Sequence, residues 1–417
     1  MPSILFVHEN FPAQFGGLAQ HLARLGWTVV FATASDTIPD DGHAHSPING
    51  VSVVRYSRRR NAARTSHHYL KTTEQAVLNG QGFARLAARL AAGGFNPDLI
   101  VAHSGWGSGS FAKVVWPEAH FVQYLEWWYN SSPVDLSEDA RAALSEDEVA
   151  ATLCRNLPFL IDAQSADAIW VPTQFQADQL PRFLRHRVTV LHDGVSAEQF
   201  SPVPEGQKRP AIEGVPENAP VVTYATRGME PMRGFPQFMS AWEEVQNRRP
   251  DAHCVIAGQD KVNYGEQLPK NDSYLGRALS QHSFDQSRLH LMGLLPKSVY
   301  AKLLQRSCVH VYLTQPFVLS WSLIEAMLSG CPLVVSDTAP VREVVPAQAA
   351  RFVNHDKACE IANAVDEVLN DGPASAQRVD IARQHAQASY STKVLRPRQV
   401  AFLIGLLDQS GAREAAE

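Results

Sequence analysis

A strand–loop–helix–strand pattern over 309–345 constrains the fold of this chain more than any other stretch. Two apolar runs, at 309–313 and 333–336, flank a helical pattern over 321–329 that Gly330 ends. A glycine directly after the last periodic residue is a usual helix stop. Short apolar strands separated by a helix are typical of a parallel sheet, so the pattern predicts an α/β fold.

The loop and the helix start of this unit also predict a ligand site. Ligands of open parallel sheets bind beyond the carboxyl ends of the strands, and a helix that begins there offers unpaired N–H groups to an anion. Glu325 follows one turn into the helix, where it is placed to accept hydrogen bonds from sugar hydroxyls. A solvated helix glutamate is the alternative that the spacing leaves open. The candidate ligand-binding residues here are Phe317, Val318, Leu319, Ser320, Trp321, Ser322 and Glu325.

The same segment resembles the donor site of the family-four retaining glycosyltransferases (group 1 glycosyltransferases), which have the GT-B fold. The residues that carry the resemblance are Ile-Glu-Ala-Met at 324–327 and Gly-Cys-Pro at 330–332. The resemblance implies two glutamates with seven residues between them, of which Glu325 is the second. Phe317 stands at the first position, so the family's usual sugar contact is missing or is made elsewhere.

The totals of the chain bound its class. Its 417 residues are enough for two domains with a core each, and 45% hydrophobic with 19% charged residues is a globular composition. A net charge of −5 argues against a nucleic-acid binder. Five scattered cysteines without metal-ligand spacing favour free thiols in a reducing compartment. With no recognisable leader and no long apolar run, we expect a cytoplasmic protein without a transmembrane segment.

The N-terminal segment predicts a second parallel sheet. An apolar run at 4–7, a loop ending in Gly16 and Gly17, a helical pattern over 18–25 and another apolar run at 28–32 form a βαβ opening. The glycines lack the full dinucleotide spacing, which weighs against an NAD site. A Gly-Gly turn that lets a donor ligand approach the backbone is the better interpretation.

Candidate catalytic and acceptor-binding residues follow two later strands of this half. His103 comes directly after an apolar run, in a loop with Trp106, so it is expected to face the ligand. A lone histidine in such a place is as often structural as catalytic. Glu126 beside Trp127 and Tyr129 suits a sugar or an apolar acceptor, and an aromatic packing seam between domains is the alternative.

A basic run and a glycine-bearing helix lie between these segments. The arginines at 58–60, with Arg64, are usually a solvated loop; the alternative is a patch for an anionic acceptor or for peripheral contact with the inner face of a membrane. The stretch 74–91 is helical in pattern, and Gly80 and Gly82 are expected to interrupt it.

The second half carries a basic, glycine-bearing loop after its first apolar run. Arg227 and Arg233 lie in the sequence Thr-Arg-Gly-Met-Glu-Pro-Met-Arg-Gly-Phe at 226–235. Arginine binds phosphate in a bidentate manner, so the pair suits a pyrophosphate, with an ordinary surface loop as the alternative. In the resembled family the matching loop holds an arginine and a lysine on the donor diphosphate. Arg233 stands at the lysine position with its charge kept, and the whole phrase resembles a bacterial subgroup of that family.

The resemblance also implies domain bounds and further donor contacts. We expect an N-terminal acceptor-binding domain over 1–200, a linker over 201–220 and a nucleotide-sugar domain over 221–390. Over 391–417 a helix is expected to pack back on the first domain and to be followed by a tail. The two Rossmann-like domains are expected to face each other across a cleft. Further donor-binding candidates, each in a turn after a strand, are Gly258, Leu294 and Leu295.

Taken as a whole, the resemblance implies a reaction. A glycosyl group would pass from a UDP- or GDP-sugar to a hydroxyl of a glycan, lipid-linked or small-molecule acceptor, with retention of configuration and without a metal or other cofactor. The candidate catalytic residues are His103, Arg227, Arg233 and Glu325. Rival classes are a GT-B epimerase or hydrolase, a catalytically reduced nucleotide-binding GT-B protein, an NAD-dependent oxidoreductase and a solute-binding protein. A monomer or a homodimer is expected.

Overall fold

The computed structural model describes residues 1–39, 48–136, 138–265 and 267–414. The chain forms two compact units, Met1–Asp193 with Leu395–Glu417, and Gly194–Val394. The first unit therefore ends a few residues before the expected bound at 200. The expected linker over 201–220 contains neither helix nor strand, and it belongs to the second unit.

The first unit contains a seven-stranded sheet in which all neighbouring strands are parallel. Its strands, within the described residues, are β1 (Ser3–His8), β2 (Thr28–Thr33), β3 (Ser52–Arg55), β4 (Leu99–His103), β5 (His120–Tyr124), β6 (Ala168–Val171) and β7 (Val188–Val190). Their order is β3-β2-β1-β4-β5-β6-β7, so the strand order reverses between β1 and β4. Open α/β sheets bind ligands at such a switch point, and here His8 and His103 end the two strands.

Apolar residues on both faces of this sheet explain why helices cover it. Along β1, Ile4 and Phe6 pack on one face, while Leu5 and Val7 pack on the other. The helices of this unit that precede residue 193 are α1 (Gly16–Arg24), α2 (Lys71–Ala92), α3 (Ala112–Val115), α4 (Glu138–Ala142), α5 (Glu146–Cys154), α6 (Leu157–Ser165), α7 (Gln174–Asp178) and α8 (Arg182–Arg185).

Helix α2 corrects one prediction, because it runs without interruption through Gly80 and Gly82. A Cβ atom on Gly82 would lie 2.5 Å from the carbonyl oxygen of Ser57, and one on Gly80 would lie 3.0 Å from that of Gly107. The two glycines therefore let other backbone segments approach the helix closely. This gain in packing outweighs the low helix propensity of glycine, about 1 kcal/mol per residue relative to alanine.

The second unit contains a six-stranded parallel sheet with the order β10-β9-β8-β11-β12-β13. Its strands, within the described residues, are β8 (Val221–Gly228), β9 (His253–Gln259), β10 (Leu289–Leu291), β11 (Val309–Tyr312), β12 (Leu333–Ser336) and β13 (Arg351–Val353). The switch point lies between β8 and β11. Helices of the unit are α9 (Phe235–Arg248), α10 (Tyr274–Gln281), α11 (Lys297–Arg306), α12 (Trp321–Ser329), α13 (Ala339–Val344), α14 (Ala358–Asn370) and α15 (Gly372–Tyr390), with a 3₁₀ turn at Pro231–Arg233.

The unit β11–α12–β12 is the predicted strand–loop–helix–strand element, and Gly330 ends α12 in the left-handed conformation with a φ of 75°. The last helix, α16 (Thr392–Glu414), buries Leu395 and Leu403 in the core that contains Ile4 and Phe6. Gln399 is fully buried and donates hydrogen bonds to the carbonyl oxygens of His192 and Asp193, at 2.9 and 3.1 Å. The α/β fold class and the return of the last helix to the N-terminal sheet are thus confirmed.

Candidate active site

Two histidines meet at the switch point of the first unit. His8 and His103 end the neighbouring strands β1 and β4, and their ring centres lie 4.6 Å apart in an edge-on arrangement. Both side chains are buried. Burial and the nearby His103 lower the pKa of His8 to about 3, so His8 is neutral at physiological pH.

Glu126 lies just beyond β5 and contacts His103 directly. Its Oε2 atom lies 3.1 Å from Nε2 of His103, and its Oε1 atom accepts a hydrogen bond of 2.8 Å from the Gln14 amide. Gln176 donates to the main-chain oxygen of Glu126 at 2.6 Å. Burial alone would raise the pKa of Glu126, but the hydrogen bonds and charge of His103, with Gln14 and His8, outweigh it and lower that pKa. Glu126 is therefore an ionised, fixed carboxylate.

The loop after His103 is held by an aspartate that the sequence did not single out. Asp162, on α6, accepts hydrogen bonds from the hydroxyls of Ser104 and Ser110, at 2.6 and 2.7 Å. Burial raises the pKa of Asp162 to about 6. No local pattern points to this residue, because its partners lie more than fifty positions earlier in the chain.

The aromatic candidates divide into exposed and packed side chains. Trp106 is 50% exposed, on a turn in which both neighbouring glycines have positive φ. Trp127 is buried, with its ring centre 6.1 Å from that of Phe175. Tyr129 exchanges two main-chain hydrogen bonds with the amide of Asn156, at 3.0 and 2.7 Å. Trp106 is therefore the most exposed of the three aromatic candidates, and acceptor binding by these residues stays a prediction.

Gly16 and Gly17 begin α1, and close contacts with the chain itself account for both. The N–H of Gly16 donates to the carbonyl oxygen of Pro12 at 2.8 Å, and a Cβ on Gly16 would overlap the Pro12 ring. A Cβ on Gly17 would lie 2.6 Å from the Arg396 guanidinium. Donor contact at these glycines stays a prediction.

Two members of the basic run are engaged within the first unit. Arg58 donates to the side-chain oxygens of Asn61 and Asn79, at 2.7 and 3.2 Å, and Arg60 pairs with Glu74 at 2.7 Å. These contacts fit a structured surface loop. None of the helices in the described ranges has the length and apolar character needed to cross a membrane.

The two predicted phosphate ligands, Arg227 and Arg233, differ in their burial and in their contacts. Arg227 lies exposed near the end of β8, and its side chain makes no hydrogen bond or ion pair within the described residues. Arg233 is buried and donates to the Thr314 hydroxyl at 2.9 Å and to the carbonyl oxygen of Val318 at 3.0 Å. These bonds join the loop after β8 to the loop after β11, the two strands of the switch point.

Phe317 contributes an aromatic face to the same cluster. The guanidinium carbon of Arg233 lies 5.8 Å from the ring centre of Phe317 and 5.3 Å from that of Tyr264. Glu230, to which no sequence pattern pointed, is fully buried and accepts hydrogen bonds from the main-chain N–H groups of Asn263 and Tyr264. Burial raises the pKa of Glu230. Glu230 thereby holds Tyr264 against Arg233.

Two main-chain N–H groups at the start of α12 already have hydrogen-bond acceptors within the protein. The Ser320 hydroxyl caps the helix by accepting from the Ser322 N–H at 3.3 Å, and the Ser320 N–H donates to the Tyr312 hydroxyl at 3.0 Å. An anion at the predicted site at the start of this helix therefore has to compete with these two bonds. Arg233 also holds this loop through the carbonyl oxygen of Val318, and donor binding by residues 317–322 stays a prediction.

Glu325 is a buried carboxylate near the exposed Lys297, whose Nζ lies 3.8 Å from its Oε1. Burial raises the pKa of Glu325 to about 7, although the charge of Lys297 acts in the opposite direction. Lys297 also lies 5.3 Å from the ring centre of Trp321. Leu294 is exposed and Leu295 is half-buried in the turn before α11.

Gly258, the last donor-binding candidate, is the second-last residue of β9. Its N–H donates to the carbonyl oxygen of Gly293 at 2.8 Å, and a Cβ at its position would overlap the carbonyl oxygen of Thr226. Across the described ranges, no three His, Cys, Asp or Glu side chains are grouped as metal ligands would be.

The two sheets and the polar residues at their switch points define a class of two-domain α/β proteins with one candidate site in each unit. Residues 26–200 match the family model described as Glycosyl transferase family 4 group. Residues 219–371 match the model described as Glycosyl transferases group 1. The chain is a glycosyltransferase of the group 1, GT-B type.

Solved structures share this fold at low sequence identity. Sucrose-phosphate synthase from Thermosynechococcus elongatus is 17% identical, with 98% of this chain and 100% of that chain covered and a TM-score of 0.75. HepE from Anabaena, solved with UDP and glucose, is 14% identical, with coverage of 97% and 100% and a TM-score of 0.69. Trehalose 6-phosphate synthase from Burkholderia multivorans is 15% identical, with coverage of 98% and 99% and a TM-score of 0.67. Comparison with curated proteins gave no sequence match.

Proposed function

We propose that the protein transfers a glycosyl group from a UDP- or GDP-sugar to an acceptor hydroxyl, with retention of configuration and without a metal ion. The observation that carries the proposal is the exposed Arg227 guanidinium at the end of β8, which has no partner within the described residues. Arg233 lies on the loop that follows and is fixed to the neighbouring strand loop. Two guanidinium groups at one switch point suit a diphosphate.

The proposed chemistry needs stabilisation of the charge that builds on the leaving diphosphate as the sugar becomes oxocarbenium-like. Arg227 would bind the diphosphate directly. A guanidinium has five N–H donors, and Arg233 would offer the diphosphate those that it does not donate to Thr314 and Val318. Glu325 would accept hydrogen bonds from the ribose hydroxyls. In a same-face reaction the leaving phosphate takes the proton of the acceptor hydroxyl, so no covalent nucleophile is required.

On the acceptor side, Trp106 would stack on a glycan, lipid-linked or small-molecule acceptor, and Glu126 would accept a hydrogen bond from its hydroxyl. The proposal assigns the reaction to the cytoplasm. Arg59 and Arg64 are exposed and would supply any peripheral contact with an anionic membrane surface.

A thermal-shift titration with UDP, GDP, ADP, dTDP, CMP and NAD tests the proposal, because a ligand that binds only the folded state raises the melting temperature. Glu325→Gln, which keeps the side-chain volume, is the matched variant. We expect one nucleoside diphosphate to stabilise the wild type and to lose most of that effect in the variant. Because HepE was solved with UDP and glucose, UDP is the first ligand to try. A shift with NAD alone, or with none of the six, would contradict the proposal.

Glu325 also predicts a pH-dependent stability. The pKa of Glu325 is raised from 4.5 to about 7 in the folded state. The stability of the fold with a neutral Glu325 is therefore fully present below pH 4.5 and is lost as the pH rises through 7. At about 1.4 kcal/mol per pKa unit, ionisation of the buried carboxyl group lowers the free energy of unfolding above pH 8 by about 3 kcal/mol. Glu325→Gln removes this cost, so urea unfolding should find the variant more stable than the wild type at pH 8.5, with the difference shrinking towards pH 4.5. Equal stability of the two proteins at pH 8.5 would show that the carboxylate is not penalised by burial.

A further inference from the structure

We infer that the second unit contains a binding site for a small organic phosphate, of the size of a sugar phosphate, in a cavity between β13 and α15. The cavity has a volume of about 280 Å³, close to the lower limit of about 300 Å³ for small-molecule pockets. Its polar lining consists of Gln348, Arg351, Gln377 and Arg378. The inference goes beyond the proposed function and does not depend on it.

The cavity lies at the opposite edge of the sheet from the candidate donor site. Arg227 is near the carboxyl end of β8, and residues 317–322 follow the carboxyl end of β11. Arg351, in contrast, is the first residue of β13, and Gln348 lies in the segment just before that strand. Neighbouring strands of this sheet are parallel, so their amino ends share one edge. A ligand in the cavity would therefore occupy a second site.

Two guanidinium groups give the cavity its capacity for an anion. Nη2 of Arg351 pairs with Glu367, while its Nε is buried and has no hydrogen-bond acceptor within the described residues. Arg378 is 15% exposed, and its Nη2 donates to the Ser375 hydroxyl at 3.2 Å. A guanidinium has five N–H donors, so both side chains keep donors for a ligand. Arginine recognises phosphate through such donors in a bidentate manner.

The carboxylates near these arginines do not fill the cavity. Glu367 and Asp371 pair with Arg351 and Arg378, but neither carboxylate belongs to the lining. Both are more than 40% exposed, and the Asp371 oxygen lies 3.8 Å from Nη2 of Arg378. Exposed ion pairs contribute only about 0–1 kcal/mol. A phosphate monoester, with about two negative charges and three acceptor oxygens, can therefore compete with them for the two guanidinium groups.

The rest of the lining indicates an organic phosphate. The amides of Gln348 and Gln377 can both donate and accept, which suits hydroxyl groups. Apolar side chains complete the wall and suit a carbon skeleton: Ala347, Ala350, Ala374 and Ile381. Alanine, glutamine, arginine and isoleucine do not change charge near neutral pH, so the lining supplies no acid or base. The site is therefore suited to binding and not to catalysis.

Helix α15 connects the cavity to the helix that carries Glu325. Ala382 and Ala386 of α15 belong to the same core as Ile324 and Met327 of α12. The residues of α15 that line the cavity lie on another face of the helix, because their positions, 374, 377, 378 and 381, follow a separate helical stripe. A ligand in the cavity would thus contact an element that packs directly on α12, as an effector of the donor site does.

Calorimetry of the full-length protein with glucose 6-phosphate, inorganic phosphate and glucose tests the site. We expect glucose 6-phosphate to bind, inorganic phosphate to bind more weakly and glucose not to bind. Arg351→Gln and Arg378→Gln should each weaken glucose 6-phosphate binding by at least about tenfold, because each removes hydrogen bonds to a charged group. Arg342→Gln is the matched control: it removes an exposed arginine of the same unit that pairs with Asp337 outside the cavity, and it should bind as the wild type does.

The exposed position of Gln377 allows a test that leaves both arginines in place and does not depend on how their variants fold. Gln377→Glu should abolish binding of glucose 6-phosphate by charge repulsion, whereas Gln377→Lys should retain or strengthen it. Equal affinity in these two variants would overturn the inference, as would the absence of binding to the wild type.

Two further outcomes would also overturn the inference. Displacement of glucose 6-phosphate by UDP would place it in the donor site, and inorganic phosphate that binds as tightly as glucose 6-phosphate would exclude an organic ligand. If UDP itself does not bind, the proposed donor fails, while the titration with glucose 6-phosphate still decides whether this second site exists.

Discussion

Replacing Arg227 by alanine is expected to weaken nucleoside diphosphate binding by roughly 1.5–3 kcal/mol, the range for hydrogen bonds to charged groups. This corresponds to about 10- to 100-fold in the dissociation constant. The turnover of the donor should fall by about 10²–10³-fold, as it does when one preorganised donor to a developing anion is removed. Stability should not change, because the Arg227 side chain is exposed and makes no hydrogen bond or ion pair within the described part of the chain.

Calorimetric titration with UDP and GDP measures the first effect, and urea unfolding measures the last. Lys302→Ala is the matched control, since Lys302 is an exposed cation on α11 in the same unit. An equal loss in both variants would attribute the effect to net charge and not to contact. If Arg227→Ala binds diphosphate as tightly as the wild type, Arg227 does not belong to the donor site.

Arg233 is a poorer probe of the same site, and the reason was hidden in the sequence. Both arginines precede a glycine in one loop, and by composition they are equivalent. Arg233, however, binds Thr314 and Val318, which lie more than eighty positions later. Its removal would leave a buried hydroxyl and carbonyl without their donor, so lost binding and lost loop structure could not be separated.

Local patterns were sufficient where an element is apolar along its whole length. The pattern over 309–345 predicted β11, α12 and β12 because each element is buried on both sides and Gly330 marks the helix end. The edge strands β3 and β13 were missed. Only two residues of each strand are apolar, and each strand is partly exposed, so neither forms an apolar run that the sequence pattern would reveal.

Contacts between residues that are far apart in the sequence could not be predicted. The contact between His103 and Glu126 joins residues 23 positions apart on different strand ends, and the local patterns assign each a separate role. Glu230 lies inside a loop that the sequence did identify, but its function depends on two main-chain N–H groups at 263 and 264. Such a partner is set by the fold and not by residue type. Trp127 is a candidate sugar platform by sequence and a buried side chain in the structure, because composition alone does not reveal burial.

Replacing Gly107 by alanine is expected to destabilise the first unit by about 2–5 kcal/mol. Gly107 has a φ of 78°, where an L-residue costs about 1–2 kcal/mol. A Cβ there would also overlap the main-chain carbonyl of Ala76 in α2. Relief of a backbone overlap requires the loop and the helix to separate, and overpacking typically adds about 1–3 kcal/mol. Urea unfolding of the variant measures the loss.

Gly94→Ala separates the two contributions. Gly94 has a φ of 90° but no atom within 4 Å of the position that a Cβ would take, so it should cost only the conformational term of about 1–2 kcal/mol. Equal losses in the two variants would mean that the loop yields without penalty. A larger loss for Gly107→Ala would show that its contact with α2 fixes the loop that begins at His103 and carries Trp106. In that case the NMR signals of the His103 ring should also change in the variant. The carbonyl oxygen of Ser104, which lies 3.1 Å from Nδ1 of His103, belongs to the same loop.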